Sequence, residues 1–100
     1  MRKEMIEALH PGRTIKEAVL PSLETTVNKL AADLGIHASR LNDIVLVRRG
    51  ITADTALRLA RYLGTSPEFW LNLQSLYDLR LAEYRNLKAV EKQVRPRTAA

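Results

Sequence analysis

The stretch of sequence that decides the fold runs from Val27 to Val45 and reads VNKLAADLGIHASRLNDIV. On both sides of Gly35, apolar residues recur at the three- and four-residue spacing of one helix face. Glycine adopts the left-handed conformation that ends many helices at no steric cost, so Gly35 predicts a break between two short helices. The aliphatic residues expected to hold these helices together are Leu30, Leu34, Ile36, Leu41 and Ile44.

The connection between the two helices is very short. Gly35 and Ile36 separate them before the second begins at residues 37–39, and Ala31 is small enough for the two backbones to cross closely. A glycine between amphipathic helices is by itself also typical of an ordinary helical hairpin. The tight turn, the small residue, the polar face of the second helix and the basic pair after it together favour a helix-turn-helix, whose second helix can enter the major groove of DNA.

The second helix of this motif begins with a polar outward face. Arginine can bond guanine through two hydrogen bonds, asparagine can bond adenine, and serine can bond either a base or a phosphate. Ala38 can offer only a methyl contact, whereas Asp43 can accept from a cytosine amine or orient Arg40. The residues predicted to read bases are Ala38, Ser39, Arg40, Asn42 and Asp43.

A basic pair, Arg48-Arg49, closes this helix. It is predicted to contact the DNA backbone, which supplies affinity and register but little sequence information. Taken alone, the pair is more typical of a solvated helix end. His37 is interpreted as a helix cap or a phosphate contact rather than a metal ligand, because His10 is the only other histidine.

Ahead of this motif, His10-Pro11-Gly12 is expected to open a first helix, since proline suits the first helical turn. That helix should stop near Leu20, because Pro21 disfavours helical geometry in the residue before it. Thr25 or Thr26 is expected to cap the helix that begins the motif.

Two further helices are predicted after the motif. Thr52 caps the fourth and Gly64 ends it, and Ser66-Pro67-Glu68 begins a fifth with a cap, a first-turn proline and an acid near the positive end of the helix dipole. The sequence therefore predicts an all-α, five-helix domain over residues 1–93 with an extended C-terminal helix. The tail, residues 94–100, has no apolar period and is expected to be disordered.

Composition agrees with one domain and a polyanionic partner. The chain has 100 residues, 46% of them hydrophobic, and a net charge of +5. Much of the excess lies in residues 40–61, where five arginines face two aspartates. Positive charge concentrated in this way favours nucleic acid through counterion release, although a mildly basic balance is common by itself.

Several classes of protein are not expected. The chain has no cysteine, which excludes disulfides and thiolate metal sites. No signal peptide and no apolar run of membrane-spanning length occurs, so a cytoplasmic protein is expected, with no membrane partner. Because no serine–histidine–acid set, glycine-rich phosphate loop or metal cluster is present, neither an enzyme nor a cofactor or metal is expected.

The run from Arg49 to Gln74, RGITADTALRLARYLGTSPEFWLNLQ, closely resembles the HigA-type antitoxins, as does Tyr77-Asp78-Leu79 just after it. These antitoxins belong to the phage-repressor-like (XRE/Cro/C1) helix-turn-helix family. His10-Pro11-Gly12 matches the usual opening of the family. Leu30-Ala31 with Leu34-Gly35 matches its first motif helix, so the resemblance spans about residues 10 to 80.

The resemblance implies the antitoxin half of a toxin–antitoxin pair. Such a protein binds and suppresses a small basic toxin, an mRNA-cleaving endoribonuclease of the HigB/RelE kind, and represses its own operon by binding double-stranded operator DNA as a dimer. A free-standing transcriptional repressor of the same fold, with no toxin partner, is the alternative. Carried across position by position, base readout falls on the same five residues of the second motif helix. Phosphate contact falls on Thr26, Val27, Asn28, His37, Arg48 and Arg49.

Two positions depart from the family pattern. Leu46-Val47 stands where a polar Asn-Gly turn is usual, so either the helix runs longer or these side chains cover a partner surface. His37 stands where proline or serine is usual. Both differences leave the operator sequence open, but not the fold.

Two protein partners are expected. The fifth helix has more apolar residues than a four-helix core can absorb, so it is the candidate dimer interface, although these residues could instead complete the core of one protomer. The candidates are Trp70, Leu73, Leu76 and Tyr77. For the toxin, a basic tail is a poor match to a basic protein, so contact is expected through the first helix and the segment leading into it.

Overall fold

The computed structural model of the protein describes residues 1–98, and every regular element in that range is helical. The predicted all-α class with a long C-terminal helix is confirmed, and one short helix precedes the five predicted. The helices are α1 (Lys3–Glu7), α2 (residues 11–22), α3 (Val27–Leu34), α4 (Ala38–Val45), α5 (Ala53–Leu63) and α6 (Pro67–Gln93).

Helix α2 continues beyond its predicted end. It consists of an α-helical turn at Pro11–Thr14, a π-helical turn at Ile15–Val19 and a final turn at Leu20–Ser22. The prediction that it stops near Leu20 is therefore wrong. A proline ring normally meets the carbonyl four residues back. The wider π turn shifts the carbonyls ahead of Pro21, so the ring is accommodated and the helix gains another turn.

One hydrophobic cluster joins α2 to α6. The residues that were expected to hold the two motif helices together are buried, and Ile36 packs partly against them. Each fully buried aliphatic side chain stabilises the fold by about 1.5–3 kcal/mol. The cluster consists of Ile15, Leu30, Ala31, Leu34, Leu41, Ile44, Val45, Ile51, Ala56, Leu59 and Trp70.

Side-chain caps begin three of the helices. The Thr26 hydroxyl accepts from the Lys29 amide at 3.2 Å, which selects Thr26 over Thr25 as the cap of α3. The predicted caps Thr52 and Ser66 are confirmed by bonds to amides three residues on, at 3.3 and 3.1 Å. Because each cap satisfies an amide left free in the first turn, the helix starts follow directly from the sequence.

The C-terminal helix α6 is the longest element. It packs on α5 and α1 near its beginning and becomes exposed toward its end at Gln93. Residues 94–98 have no regular secondary structure, and the last two residues of the predicted tail lie outside the described residues. Disorder of the tail stays a prediction. None of the helices described here combines the length and apolar character needed to cross a membrane.

Candidate nucleic-acid interface

The turn between α3 and α4 has the hydrogen bonds of a Schellman motif. Gly35 has a φ of 72°, and its amide donates to the Ala32 carbonyl at 3.2 Å. The Ile36 amide donates to the Ala31 carbonyl at 3.0 Å. These two bonds satisfy carbonyls that a helix end would leave free. The predicted break at Gly35 is confirmed, and the bonds fix the direction in which α4 leaves α3.

Arg58 of α5 holds the end of α3 from outside the motif. Its Nη1 donates to the carbonyl oxygens of Leu34 and Gly35 at 3.0 and 3.4 Å. Its Nε donates to Asp54 at 2.8 Å. In the sequence, Arg58 is only one part of the positive charge of residues 40–61. The i,i+4 spacing from Asp54 signals their ion pair, but nothing local signals the contact to α3.

A second link joins α3 to α5 at the surface. The Tyr62 hydroxyl donates to Asp33 at 2.9 Å, and Lys29 Nζ donates to the same carboxylate at 2.6 Å. The bond from Lys29 and then that from Tyr62 lower the pKa of Asp33, and Asp33 in turn raises the pKa of Lys29. Exposed pairs of this kind add little stability, but they orient α3 on its neighbour.

Helix α4 presents a polar outward face, as the sequence predicts. Its apolar stripe, Leu41, Ile44 and Val45, is buried. The predicted base-reading residues lie elsewhere on the same helix. Ser39, Arg40 and Asn42 are exposed, and Ala38 and Asp43 are half-buried.

The two charged residues of this face differ in their surroundings. Asp43 lies 4.0 Å from Arg48, at the limit of an ion pair. Within residues 1–98, no ion pair involves Arg40. Asp43 therefore does not orient Arg40, and the guanidinium of Arg40 is available to a ligand.

The beginning of α4 has no side-chain cap. His37 occupies the cap position with extended backbone and an exposed side chain that makes no capping bond. The first amides of α4 therefore lack a side-chain partner, and such amides can hold a phosphate. At the beginning of α3, the hydroxyl of Thr26 is already used as a cap, Asn28 is exposed, and Val27 is half-buried against the core.

Helix α4 ends in a second Schellman motif with a valine at the left-handed position. The Val47 amide donates to the Ile44 carbonyl at 3.0 Å, and the Arg48 amide donates to the Asp43 carbonyl at 2.8 Å. Val47 has a φ of 63°. Leu46-Val47 thus replaces the usual Asn-Gly without lengthening the helix, which ends at Val45. A β-branched residue in this conformation is strained.

The loop that carries Arg48 and Arg49 is held by the C-terminal helix. Gln74 accepts from the Ile51 amide at 2.8 Å and donates to Asp78 at 2.9 Å. Both arginine side chains are exposed. Their loop is therefore anchored through its backbone while their guanidinium groups face solvent, which suits contact with phosphates.

His10 lies under the same loop and is almost completely buried, with 2% of its surface exposed. Its Nδ1 accepts from the Gly12 amide at 2.9 Å, and its ring meets Tyr77 edge-on at a centroid distance of 4.7 Å. Burial lowers the pKa of His10, opposed by a hydrogen bond with the Arg49 backbone and by the charge of Asp78. In the sequence, this residue indicates only the start of a helix.

The residues of the predicted dimer interface are not equivalent in the structure. Trp70 is 1% exposed, and its Nε1 donates to the Thr65 hydroxyl at 2.8 Å. Trp70 therefore completes the core of one protomer and has no surface left for a second copy, which corrects that part of the prediction. Leu73 and Tyr77 are half-buried, and Leu76 is exposed.

Known proteins share the sequence that builds this geometry. The helix-turn-helix family model matches residues 15–70. Virulence-associated protein I of Dichelobacter nodosus is 47% identical over 81 residues, which are 81% of this chain and 75% of that protein.

Two solved structures are similar over most of both chains. An addiction module antidote protein of a HigA family from Coxiella burnetii is 45% identical, with a TM-score of 0.83, over 88% of this chain and 96% of its own. The antitoxin HigA of Pseudomonas aeruginosa, solved with the higBA promoter, is 42% identical, with a TM-score of 0.85, over 89% and 97%. The chain therefore belongs to the helix-turn-helix family, in which its resemblance to the HigA-type antitoxins is confirmed.

Proposed function

We propose that the protein represses its own operon by binding operator DNA as a dimer, and that it neutralises an mRNA-cleaving toxin of the HigB/RelE kind. The observation that carries the DNA-binding part is the exposed polar face of α4, held in place by a Schellman motif at each end. A related antitoxin of the same fold has been solved with promoter DNA, which supports the same use of this face.

Base readout is assigned to the outward residues of α4. Arg40 is the strongest candidate, because its guanidinium is exposed and unpaired among the described residues and can bond guanine bidentately. Asn42 suits adenine, and Ser39 suits a base or a phosphate. Ala38 and Asp43 are half-buried, so they contact bases only at the edge of the reading face.

Phosphate contacts are assigned to both ends of the motif. The uncapped amides that follow His37 point to one site, since backbone amides at a helix start bind anions. At the start of α3, Thr26, Val27 and Asn28 contribute mainly through the backbone and the Asn28 amide. Arg48 and Arg49 form the second site, after α4.

Dimerisation is assigned to α6 without Trp70. Leu73 and Tyr77 keep part of their surface, and Leu76 is exposed. Further along the helix, Leu79 and Leu87 are 53% and 46% exposed. An apolar row of this length is costly to leave in water, and two half-sites about one helical turn apart require a two-fold protein.

The toxin is assigned to α1 and the residues that lead into it. These carry the exposed Glu4 and the half-buried Glu7, whereas the residues after α6 carry only positive charge in Arg95 and Arg97. A basic toxin is attracted to the first region and repelled by the second. This part rests on charge complementarity, which steers association more than it sets affinity.

The DNA-binding part is tested by gel-shift titration of a duplex that covers the region upstream of the gene, against a duplex of shuffled sequence. Specific binding is expected for the first duplex alone. Light scattering at micromolar concentration tests the dimer, and a monomeric mass would contradict it. Co-purification with the product of the neighbouring reading frame tests the antitoxin part; a free-standing repressor would capture no small basic protein.

A further inference from the structure

The imidazole of His10 lies where three parts of the molecule meet. The Gly12 amide at the start of α2 donates to its Nδ1 at 2.9 Å, and Tyr77 of α6 packs edge-on against the ring. The third neighbour is the backbone of Arg49, in the loop after α4. The side chain is buried, so these contacts account for its polar groups.

The direction of the bond to Arg49 follows from the tautomer. Since Nδ1 accepts from an amide, a neutral ring carries its proton on Nε2, which must then donate. The hydrogen bond with the Arg49 backbone favours the protonated ring, as a bond donated by the ring does. The acceptor is therefore the Arg49 carbonyl. No buried side-chain nitrogen or oxygen within residues 1–98 lacks a partner, in agreement with this arrangement.

We propose that His10 is a positioning residue for DNA binding: its Nε2–H holds the main chain of Arg49, so that the Arg49 guanidinium is presented to a backbone phosphate. The loop is then fixed at three points in sequence. The Arg48 amide bonds to Asp43, the Arg49 carbonyl bonds to His10, and the Ile51 amide bonds to Gln74. Only the bond from His10 acts at Arg49 itself.

This role connects the amino-terminal residues to the DNA-binding loop. His10 follows α1 directly and is seated against α6, so the loop is positioned by elements outside the helix-turn-helix. Orientation matters here because a long arginine side chain must otherwise be ordered on binding, which costs affinity. The inference rests on the proposed function, since it takes Arg49 to be a phosphate contact.

Two substitutions separate the two bonds of the ring. In His10→Asn, the side-chain oxygen can replace Nδ1 as acceptor from Gly12 and keeps a good helix cap, but the side chain is too short to reach Arg49. In His10→Gln, the longer amide can place a donor near the position of Nε2. Circular dichroism at the assay temperature establishes that each variant is folded.

The experiment measures affinity for the upstream duplex at several salt concentrations, for wild type, His10→Asn, His10→Gln, Arg49→Ala and the double variant His10→Asn/Arg49→Ala. For each phosphate that the protein no longer binds, His10→Asn is expected to weaken affinity by about threefold or more and to reduce the salt slope by about 0.9. His10→Gln is expected to lie nearer to wild type. In the Arg49→Ala background, His10→Asn is expected to have no further effect.

The outcomes separate the two proposals. If Arg49→Ala binds like wild type, Arg49 is not a phosphate contact, and the proposed role of His10 is overturned with it. If Arg49→Ala weakens binding but His10→Asn does not, the positioning role is overturned while the proposed function stands. An equal loss of affinity from His10→Asn in both backgrounds would show that His10 acts through other residues, and would also overturn the positioning role.

Discussion

Gly12 at the start of α2 lies directly against the main chain of Ile44 in the last turn of α4. A β-carbon on Gly12 would stand 1.8 Å from the Ile44 carbonyl oxygen, far inside van der Waals contact. The two helices therefore meet backbone to backbone. The position of the DNA-facing helix depends on the absence of a side chain in the residue that follows His10-Pro11.

Substitution of Gly12 by alanine is expected to destabilise the protein and displace α4. The overlap involves a main-chain oxygen, which cannot rotate away, so the cost should reach or exceed the 1–3 kcal/mol that is typical of overpacking, about 4–8 °C in Tm for each kcal/mol. Thermal unfolding followed by circular dichroism measures it. Lys16→Ala, on the exposed side of the same helix, serves as the control. An unchanged Tm for Gly12→Ala would mean that the two helices are not in contact in solution.

Replacement of Val47 by glycine is expected to stabilise the protein. The left-handed conformation costs a non-glycine residue about 1–2 kcal/mol. Glycine brings back about 0.5–1 kcal/mol of unfavourable chain entropy. The net gain should be up to about 1 kcal/mol, and chemical denaturation measures it. Val47→Ala keeps the β-carbon and hence the strain, so it should show no such gain; equal behaviour of the two variants would contradict the explanation.

These two positions illustrate what the sequence could and could not predict. The helix-turn-helix was predictable because its signals are local: an apolar spacing, the glycine at residue 35, and caps at Thr52 and Ser66. The turn after Val45 was left open, because Leu46-Val47 carries no turn signal. Its conformation is imposed by the packing of α4 and by the loop anchored on Gln74.

The site contacts that the sequence does not reveal are long-range. Arg58 bonds to Leu34, 24 residues away, and Gln74 bonds to Ile51, 23 residues away. No spacing rule connects such residues before the fold is known. The same holds for His10, whose motif indicates a helix start although its ring contacts Tyr77.

Arg40→Ala is expected to weaken binding to the upstream duplex by about 1–3 kcal/mol and to relax specificity at one base pair. The reason is that the variant cannot form a bidentate bond to guanine and no other side chain replaces it. Selection of bound sequences from a randomised duplex measures specificity, and titration measures affinity. Arg85→Ala removes an equal charge from the exposed surface of α6 and is the matched control. If both variants bound equally weakly without a change in preferred sequence, Arg40 would not read a base.

Stability is expected to fall on acidification because of His10. Burial lowers the pKa of its folded form below the ordinary value of 6.5, despite the Arg49 bond and the charge of Asp78. As pH falls below about 6.5, the unfolded chain binds a proton that the folded chain does not yet bind, so the free energy of unfolding decreases until the folded pKa is reached.

The slope in that window is at most about 1.4 kcal/mol per pH unit for this one group. Denaturant unfolding between pH 7.5 and about 5 measures it. His10→Asn should abolish this part of the pH dependence, and His37→Gln should retain it. A variant without His10 that kept the full slope would assign the effect to other groups.

Glu4→Lys is expected to slow association with the toxin without affecting DNA binding. Removing the whole leading segment would be a poorer test, because Ile6 of α1 is completely buried and belongs to the fold. Glu4 is exposed, so reversing its charge leaves the core intact while it turns attraction for a basic partner into repulsion. The association rate should fall on the order of tenfold at low salt, and the difference should shrink as salt rises. Glu91→Lys, near the end of α6, makes the same charge change far from α1. Surface plasmon resonance with the purified toxin compares the two, and equal rates for both variants would place the toxin on another surface.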